Sequence, residues 1–182
     1  MEWLQTINDR IPDYAKDLRL NFDAVLSRSS LAPAEAVGAA LAAAFAARSA
    51  PLVEALREAP PLDATHAQAA LTAAALMGMN NVWYPFVEMA ADPELKTVRP
   101  ELRMNAYATH GGVERKSFEL YALAASIVGK CDFCIQSHAR LLRESGLSTQ
   151  QLRDVGRIAA VVNAVAQVLA AERVTTAAAV AA

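Results

Sequence analysis

The chain has 182 residues, 54% of them apolar and only 6% aromatic, and its 17 basic and 19 acidic side chains leave a formal charge of −2. That length implies one domain or two intimately packed halves, and the basic residues are scattered rather than gathered into the stripe a nucleic-acid footprint needs. The amino end, MEWLQTINDRIPDYAKDLRL, carries charge every few residues, unlike a signal peptide, and the longest uncharged apolar run, Ala36 to Ala47, is 12 residues against the roughly 20 of a membrane helix; together these predict a soluble cytoplasmic protein.

Much of the apolar fraction is alanine, which favours helix and adds little bulk, while Val, Ile and Thr never alternate as strands require. Prolines, glycines and capping residues then divide the chain into helices. Asp13 to Arg28 places Leu18, Phe22, Val25 and Leu26 on one face. Pro33 and Glu35 open a segment to about Arg48, and Pro51 starts a short helix closed by Pro60-Pro61. Asp63 caps a helix to about Met79, and NNVWYPFVEMAA makes another, delayed by Asn80-Asn81. Asp92 to Arg99 reads as a loop, Pro100 opens a further helical segment, and His110-Gly111-Gly112 breaks the chain. Val113 to Val128 is the next helix, stopped by Gly129. Cys131 to Ser145 follows, stopped by Gly146. Ser148 and Gln151 form a capping box for a last helix to about Arg173, with a frayed tail over 174–182. The fold class is an all-α helical bundle in a single domain, 1–182.

A faint repeat runs through it. AALTAAALMGMNNVWYPF (Ala69 to Phe86) precedes LYALAASIVGKCDFCIQS (Leu120 to Ser137) by 51 residues. Each copy gives a small-residue helix, a glycine (Gly78, Gly129) and a new helix, which divides the chain into halves of roughly 13–91 and 100–173. Where the second copy has Cys131 and Cys134 the first has Asn80 and Trp83, so the first would be a scaffold half without the reactive groups.

Both cysteines of the chain lie in GKCDFCIQSH, Gly129 to His138. Such a pair in a cytoplasmic protein points to catalysis or metal rather than a structural staple. Cys131 falls in the first turn of a helix, where unpaired N–H groups and the dipole favour a thiolate. Cys134, one turn on, shares its face, and the spacing permits a disulfide across that turn. His138 extends the stripe and can take a thiol proton. Glu119 has Leu123, Ser126 and Ile127 as helical neighbours, which suits an inward carboxylate, and a buried carboxylate needs a partner; His138 on the next helix would serve. Two other readings compete. Paired helical cysteines can be small core hydrophobes, and zinc would need four ligands, which distant His66 and His110 do not supply. Met77, Met79 and Met89 with Trp83 read as core filling.

Glu119, eleven residues, Cys131-x-x-Cys134, three residues, His138: this pattern resembles the alkyl hydroperoxidase D family, within the wider carboxymuconolactone decarboxylase-like group. PDYAKDLRLN, ALMGMNNVWY and ELRMNAYATHGGVERKSFEL extend the likeness over about Leu4 to Glu172. The resemblance implies an all-α fold of two related halves assembling as a homotrimer, with no bound cofactor or metal. It implies reduction of alkyl hydroperoxides and regeneration of a peroxiredoxin, AhpC. Electrons would come from dihydrolipoamide on a lipoylated dihydrolipoamide acyltransferase, recharged by dihydrolipoamide dehydrogenase. On the matching positions Glu119 and His138 form a proton relay, Cys134 attacks, and Cys131 resolves the intermediate into a disulfide. The helix start favours Cys131 as nucleophile and adjacency to His138 favours Cys134; the relay decides for Cys134. One residue departs from the family pattern. Phe133 stands where a histidine often precedes the second cysteine, which removes a proton carrier and puts an apolar wall beside the substrate. The rival functions are a redox sensor that uses the same cysteines without turnover and a non-redox decarboxylase-like enzyme.

Overall fold

The computed structural model describes residues 2–180, with backbone alone at residue 2 and over 174–180. Its regular elements are all helical: α1 (Gln5–Asn8), α2 (Lys16–Ser27), α3 (Pro33–Ala46), α4 (Ala50–Arg57), α5 (Ala64–Met89), α6 (Asn105–Ala108), α7 (Arg115–Gly129), α8 (Asp132–Glu144) and α9 (Thr149–Val180), with short 3₁₀ turns between some of them. The fold class is all-α, as the alanine content and the absence of alternating runs predict.

Helices α3 and α7 form the centre. The first packs against α4, α5, α7 and α9, the second against α3, α5, α8 and α9. Residues Ala36 to Ala44 are buried without a break, the pattern of a helix enclosed on all sides. Close approach needs a missing side chain at one point: a Cβ on Gly38 would lie 2.4 Å from the Tyr121 ring.

Helix α9 closes one side. Its capping box forms as read, with the Gln151 backbone N–H donating to Ser148 Oγ at 3.1 Å and the Ser148 backbone N–H donating to Gln151 Oε1 at 3.0 Å. Over Thr149–Arg173 it is long and apolar enough, by length and composition only, to cross a membrane, and 44% of its most apolar window is buried in the fold. No long unbroken apolar run marks this helix, because Arg153, Asp154, Arg157, Asn163 and Gln167 interrupt it. Buried Asp154 ties it to the segment before α3: Oδ2 accepts from the Ser30 N–H at 2.8 Å and hydroxyl at 2.7 Å, and Oδ1 meets Arg153 and Arg157. Burial pushes this carboxyl up, but the Ser30 donors and Arg153 outweigh it and hold its pKa at about 2. The backbone continues helical past Arg173 to Val180; of the tail expected to fray over 174–182, residues 181–182 lie outside the described residues.

Three boundaries differ from the sequence reading. Helix α5 runs unbroken through Gly78, Asn80 and Asn81 and even contains Pro85. Asn81 does not turn back on its own backbone, as asparagine often does, because its Nδ2 donates to the Ala125 carbonyl of α7 at 3.2 Å. Pro100 opens no helix; Glu101 takes a left-handed φ of 50° and α6 begins only at Asn105. Gly129 is not the turning residue after α7. Lys130 is left-handed, with φ 55°, and Gly129 is small because Asn81 packs on it: a Cβ there would meet Asn81 Nδ2 at 2.1 Å.

Candidate redox site

The end of α7 and the start of α8 meet at a sharp corner. Lys130 N–H donates to the Ile127 carbonyl and Cys131 N–H to that of Ser126, closing α7. Cys131 therefore stands just before α8, at its N-cap, rather than inside the first turn. Its Sγ accepts the Cys134 backbone N–H at 3.2 Å. The two cysteines are joined in a disulfide with Cα atoms 5.2 Å apart. Both are buried, Cys131 at 0% exposure and Cys134 at 3%. Cys134 lines a cavity of about 150 Å³ with His138, Ser137, Phe133, Tyr107, Tyr84, Met104 and Asn80. Cys131 lies behind it.

His138 follows Cys134 by one helical turn and is buried with its partner. Its Nδ1 lies 2.6 Å from Glu119 Oε2, and Glu119 is fully buried on α7. The second carboxylate oxygen accepts the Tyr107 hydroxyl, and Arg115 Nε lies 3.8 Å from it. Burial pushes the Glu119 carboxyl up, but the hydrogen bonds from His138 and Tyr107, with the charges of His138 and Arg115, bring it below the ordinary range. Burial and the same hydrogen bond push the Tyr107 phenol up. An ionised Glu119 fixes the His138 tautomer: the Nδ1 proton points at the carboxylate, so Nε2 is the nitrogen free to exchange a proton. Nε2 faces Met77 Sδ at 3.1 Å, a weak acceptor when the ring is charged.

The structure thus brings Glu119, Cys131, Cys134, His138 and Phe133 together. Phe133 is 56% exposed and stacks on Tyr84, with ring centroids 4.2 Å apart. Sequence reasoning missed Tyr107, Asn80 and the contact of Met77. Tyr107 arrives from α6 because the turn after it is left-handed at His110, Gly111 and Gly112, and Gly111 lies so close to α5 that a Cβ would meet Ala69 Cα at 2.8 Å. No spacing rule places it. Asn80 had one signal, its alignment with Cys131 in the repeat; the Asn80 carbonyl lies 3.9 Å from Cys131 Sγ. The first copy is therefore part of the site and not a bare scaffold. Of the residues read as core filling, Met77 is buried, whereas Met89 is 78% exposed, because α5 runs on past the core. His66 pairs with Asp63 at 3.0 Å, and His110 packs against Tyr107 and Phe118. Among the described residues no three His, Cys, Asp or Glu side chains are grouped to hold a metal ion.

The Carboxymuconolactone decarboxylase family matches residues 93–177, a span that holds Tyr107, Glu119, both cysteines and His138. An alkyl hydroperoxide reductase AhpD of Rhodospirillum centenum is 47% identical over 171 residues, covering 93% of this chain and 91% of its own. The protein of that name from Coxiella burnetii is 43% identical over 177 residues, 94% of this chain and 99% of its own. The one from a Bradyrhizobium strain is 41% identical over 174 residues, 94% and 96%. A chain this similar to them from end to end belongs to the AhpD family of alkyl hydroperoxide reductases.

Proposed function

We propose that this chain reduces alkyl hydroperoxides with its Cys131–Cys134 pair and is restored by dihydrolipoamide. The observation that carries the reading is a disulfide-bonded pair of which only Cys134 lines the cavity, one turn from a buried His138–Glu119–Tyr107 network. In the reduced protein His138 Nε2 takes the Cys134 proton. The thiolate attacks the hydroperoxide, forming a sulfenic acid on Cys134 and releasing the alcohol as His138 returns the proton. The Cys131 thiol then attacks the Cys134 sulfur, and its proton leaves with the hydroxyl as water. Phe133 offers no proton carrier for this second step.

Reduction runs through the same face. A dihydrolipoamide thiolate attacks Cys134 Sγ, the sulfur on the cavity, and Cys131 leaves as a thiolate. The N-cap position favours that leaving group, because the Cys134 N–H already points at the Cys131 sulfur and an anion before a helix is stabilised. The second thiol of dihydrolipoamide then displaces Cys134, giving lipoamide and the dithiol. The names of the relatives support an AhpC partner, whose disulfide the dithiol would reduce by the same exchange. The proposal also includes a lipoylated acyltransferase and dihydrolipoamide dehydrogenase as electron source, a homotrimer and a cytoplasmic location. The test is steady-state consumption of cumene hydroperoxide with dihydrolipoamide as the sole reductant. Sustained turnover supports the reading; a single turnover that stops at the disulfide overturns the lipoamide link and favours a sensor.

A further inference from the structure

One polar residue of the cavity has no role in the steps above. Asn80 sits about two-thirds of the way along α5, is 8% exposed and shares the cavity with Cys134 and His138. Its own carbonyl lies 3.9 Å from Cys131 Sγ, so the residue stands over the disulfide itself. Its side-chain Nδ2 meets the thioether sulfur of Met104 at 3.7 Å. A thioether is a weak acceptor, and a buried N–H with so poor a partner is costly. A stronger acceptor placed in the cavity would remove that cost.

The neighbouring donors are differently placed. The Tyr107 hydroxyl donates its hydrogen bond to Glu119. His138 has Nδ1 on Glu119, and its Nε2 carries the proton that is transferred rather than a fixed hydrogen bond. Ser137 and Tyr84 are only half-buried, where water competes for them.

Resting on the peroxidase reading, we propose that the Asn80 amide is a catalytic hydrogen-bond donor to the hydroperoxide, holding the alkyl-bearing oxygen while Cys134 attacks. In that step the sulfur lone pair forms a bond to the terminal oxygen and the O–O bond breaks. Its electron pair passes to the alkyl-bearing oxygen, which takes the His138 proton and leaves as the alcohol. Sulfur is oxidised by two electrons to the sulfenic acid, and the peroxide is reduced by two. Negative charge builds on the leaving oxygen before the proton arrives, and a fixed, buried donor lowers the barrier there.

The test compares wild type with Asn80→Leu, of similar size and without a donor, and with Asn80→Ala, a good helix former should leucine not fold. Three rates are measured by rapid mixing: oxidation of the reduced protein by tert-butyl hydroperoxide, alkylation of Cys134 by iodoacetamide, and reduction of the disulfide by dihydrolipoamide. Removing one such donor slows the oxyanion-forming step by about 10²–10³, so oxidation falls about a hundredfold in Asn80→Leu and at least about tenfold in Asn80→Ala. Alkylation and reduction stay within about threefold of wild type. Unchanged oxidation in either folded variant overturns the inference. So does a matching fall in alkylation, which would place the effect on the thiolate, or a loss that appears in Ser137→Ala and not at Asn80. A wild-type protein whose dithiol is alkylated normally and whose disulfide is reduced normally, but whose dithiol ignores the hydroperoxide, overturns the peroxidase reading along with it, a distinguishable pattern.

Discussion

Replacing Glu119 by glutamine removes one charge from the buried network and leaves its shape. The amide oxygen can still accept the Tyr107 hydroxyl. The amide nitrogen, however, now faces His138 Nδ1, where the carboxylate oxygen stood at 2.6 Å. An amide donates, so Nδ1 must accept and the proton moves to Nε2. Nε2 then already carries a proton and cannot take the one from Cys134, and an imidazolium formed through Nδ1 has lost its counter-ion. Two unit charges about 4 Å apart in an effective dielectric near 20 attract by roughly 4 kcal/mol. At 1.36 kcal/mol per factor of ten that is about 10³ in rate, within the 10²–10⁴ typical of a positioned acid–base group. Glu119→Gln should therefore oxidise about a thousandfold more slowly with an organic hydroperoxide at pH 7, and its disulfide should still form on long incubation. His138→Gln should fall in the same range. The assay is single-turnover oxidation of the dithiol, paired with a pH titration of Cys134 alkylation. Oxidation within about threefold of wild type, or superimposable alkylation curves, would refute the relay.

The other predictions concern closure, pH and packing. Phe133→His restores a proton carrier beside Cys134 and loses apolar area worth about 25 cal/mol per Å²; disulfide closure should quicken and KM rise more for a bulky hydroperoxide than for a small one, and equal closure rates with unchanged preference would make residue 133 a passive wall. The Asp154 carboxyl has a folded pKa of about 2 against 3.8 for the free group, so it adds stability above pH 4 that is lost as pH falls towards 2. The shift corresponds to roughly 2 kcal/mol; Asp154→Asn should lose about that much in urea unfolding at pH 7 and flatten the dependence between pH 4 and 2, and an unchanged slope would contradict the assignment. Gly129→Ala puts a methyl 2.1 Å from Asn81 Nδ2 and 2.8 Å from its Cβ, so Asn81 must give up the Ala125 carbonyl; a loss of about 1–3 kcal/mol is expected from such overpacking, and thermal melting identical to wild type would show that the corner yields freely.

The parts of the site set by helical period were legible in the sequence. Cys134 and His138 share a face because they are one turn apart, and Glu119 faces inward because small and apolar residues surround it on its helix. Caps and breakers placed most helices, as at Asp63, whose side chain accepts the His66 N–H, and at Gly146, left-handed with φ 88°. What the sequence hid depends on partners far along the chain. Asn80-Asn81 looks like a break until the α7 carbonyl that Asn81 bonds is known. Gly129 looks like a helix stop, yet its smallness answers to α5. Tyr107 reaches Glu119 only because the following turn folds back on α5; Gly111-Gly112 marks the turn, but nothing local says where it packs.

In the proposed mechanism Cys134 reacts with peroxide and Cys131 closes the bond behind it. Reduced wild type, Cys131→Ser and Cys134→Ser, each nearly isosteric with its parent, should be mixed with one equivalent of cumene hydroperoxide, and the alcohol and protein products followed by mass. Wild type should give one alcohol and one Cys131–Cys134 disulfide per peroxide. Cys131→Ser should give one alcohol and a sulfenic acid at Cys134, and Cys134→Ser should show no fast reaction. A Cys134→Ser protein that reduces the hydroperoxide at the wild-type rate would contradict that mechanism.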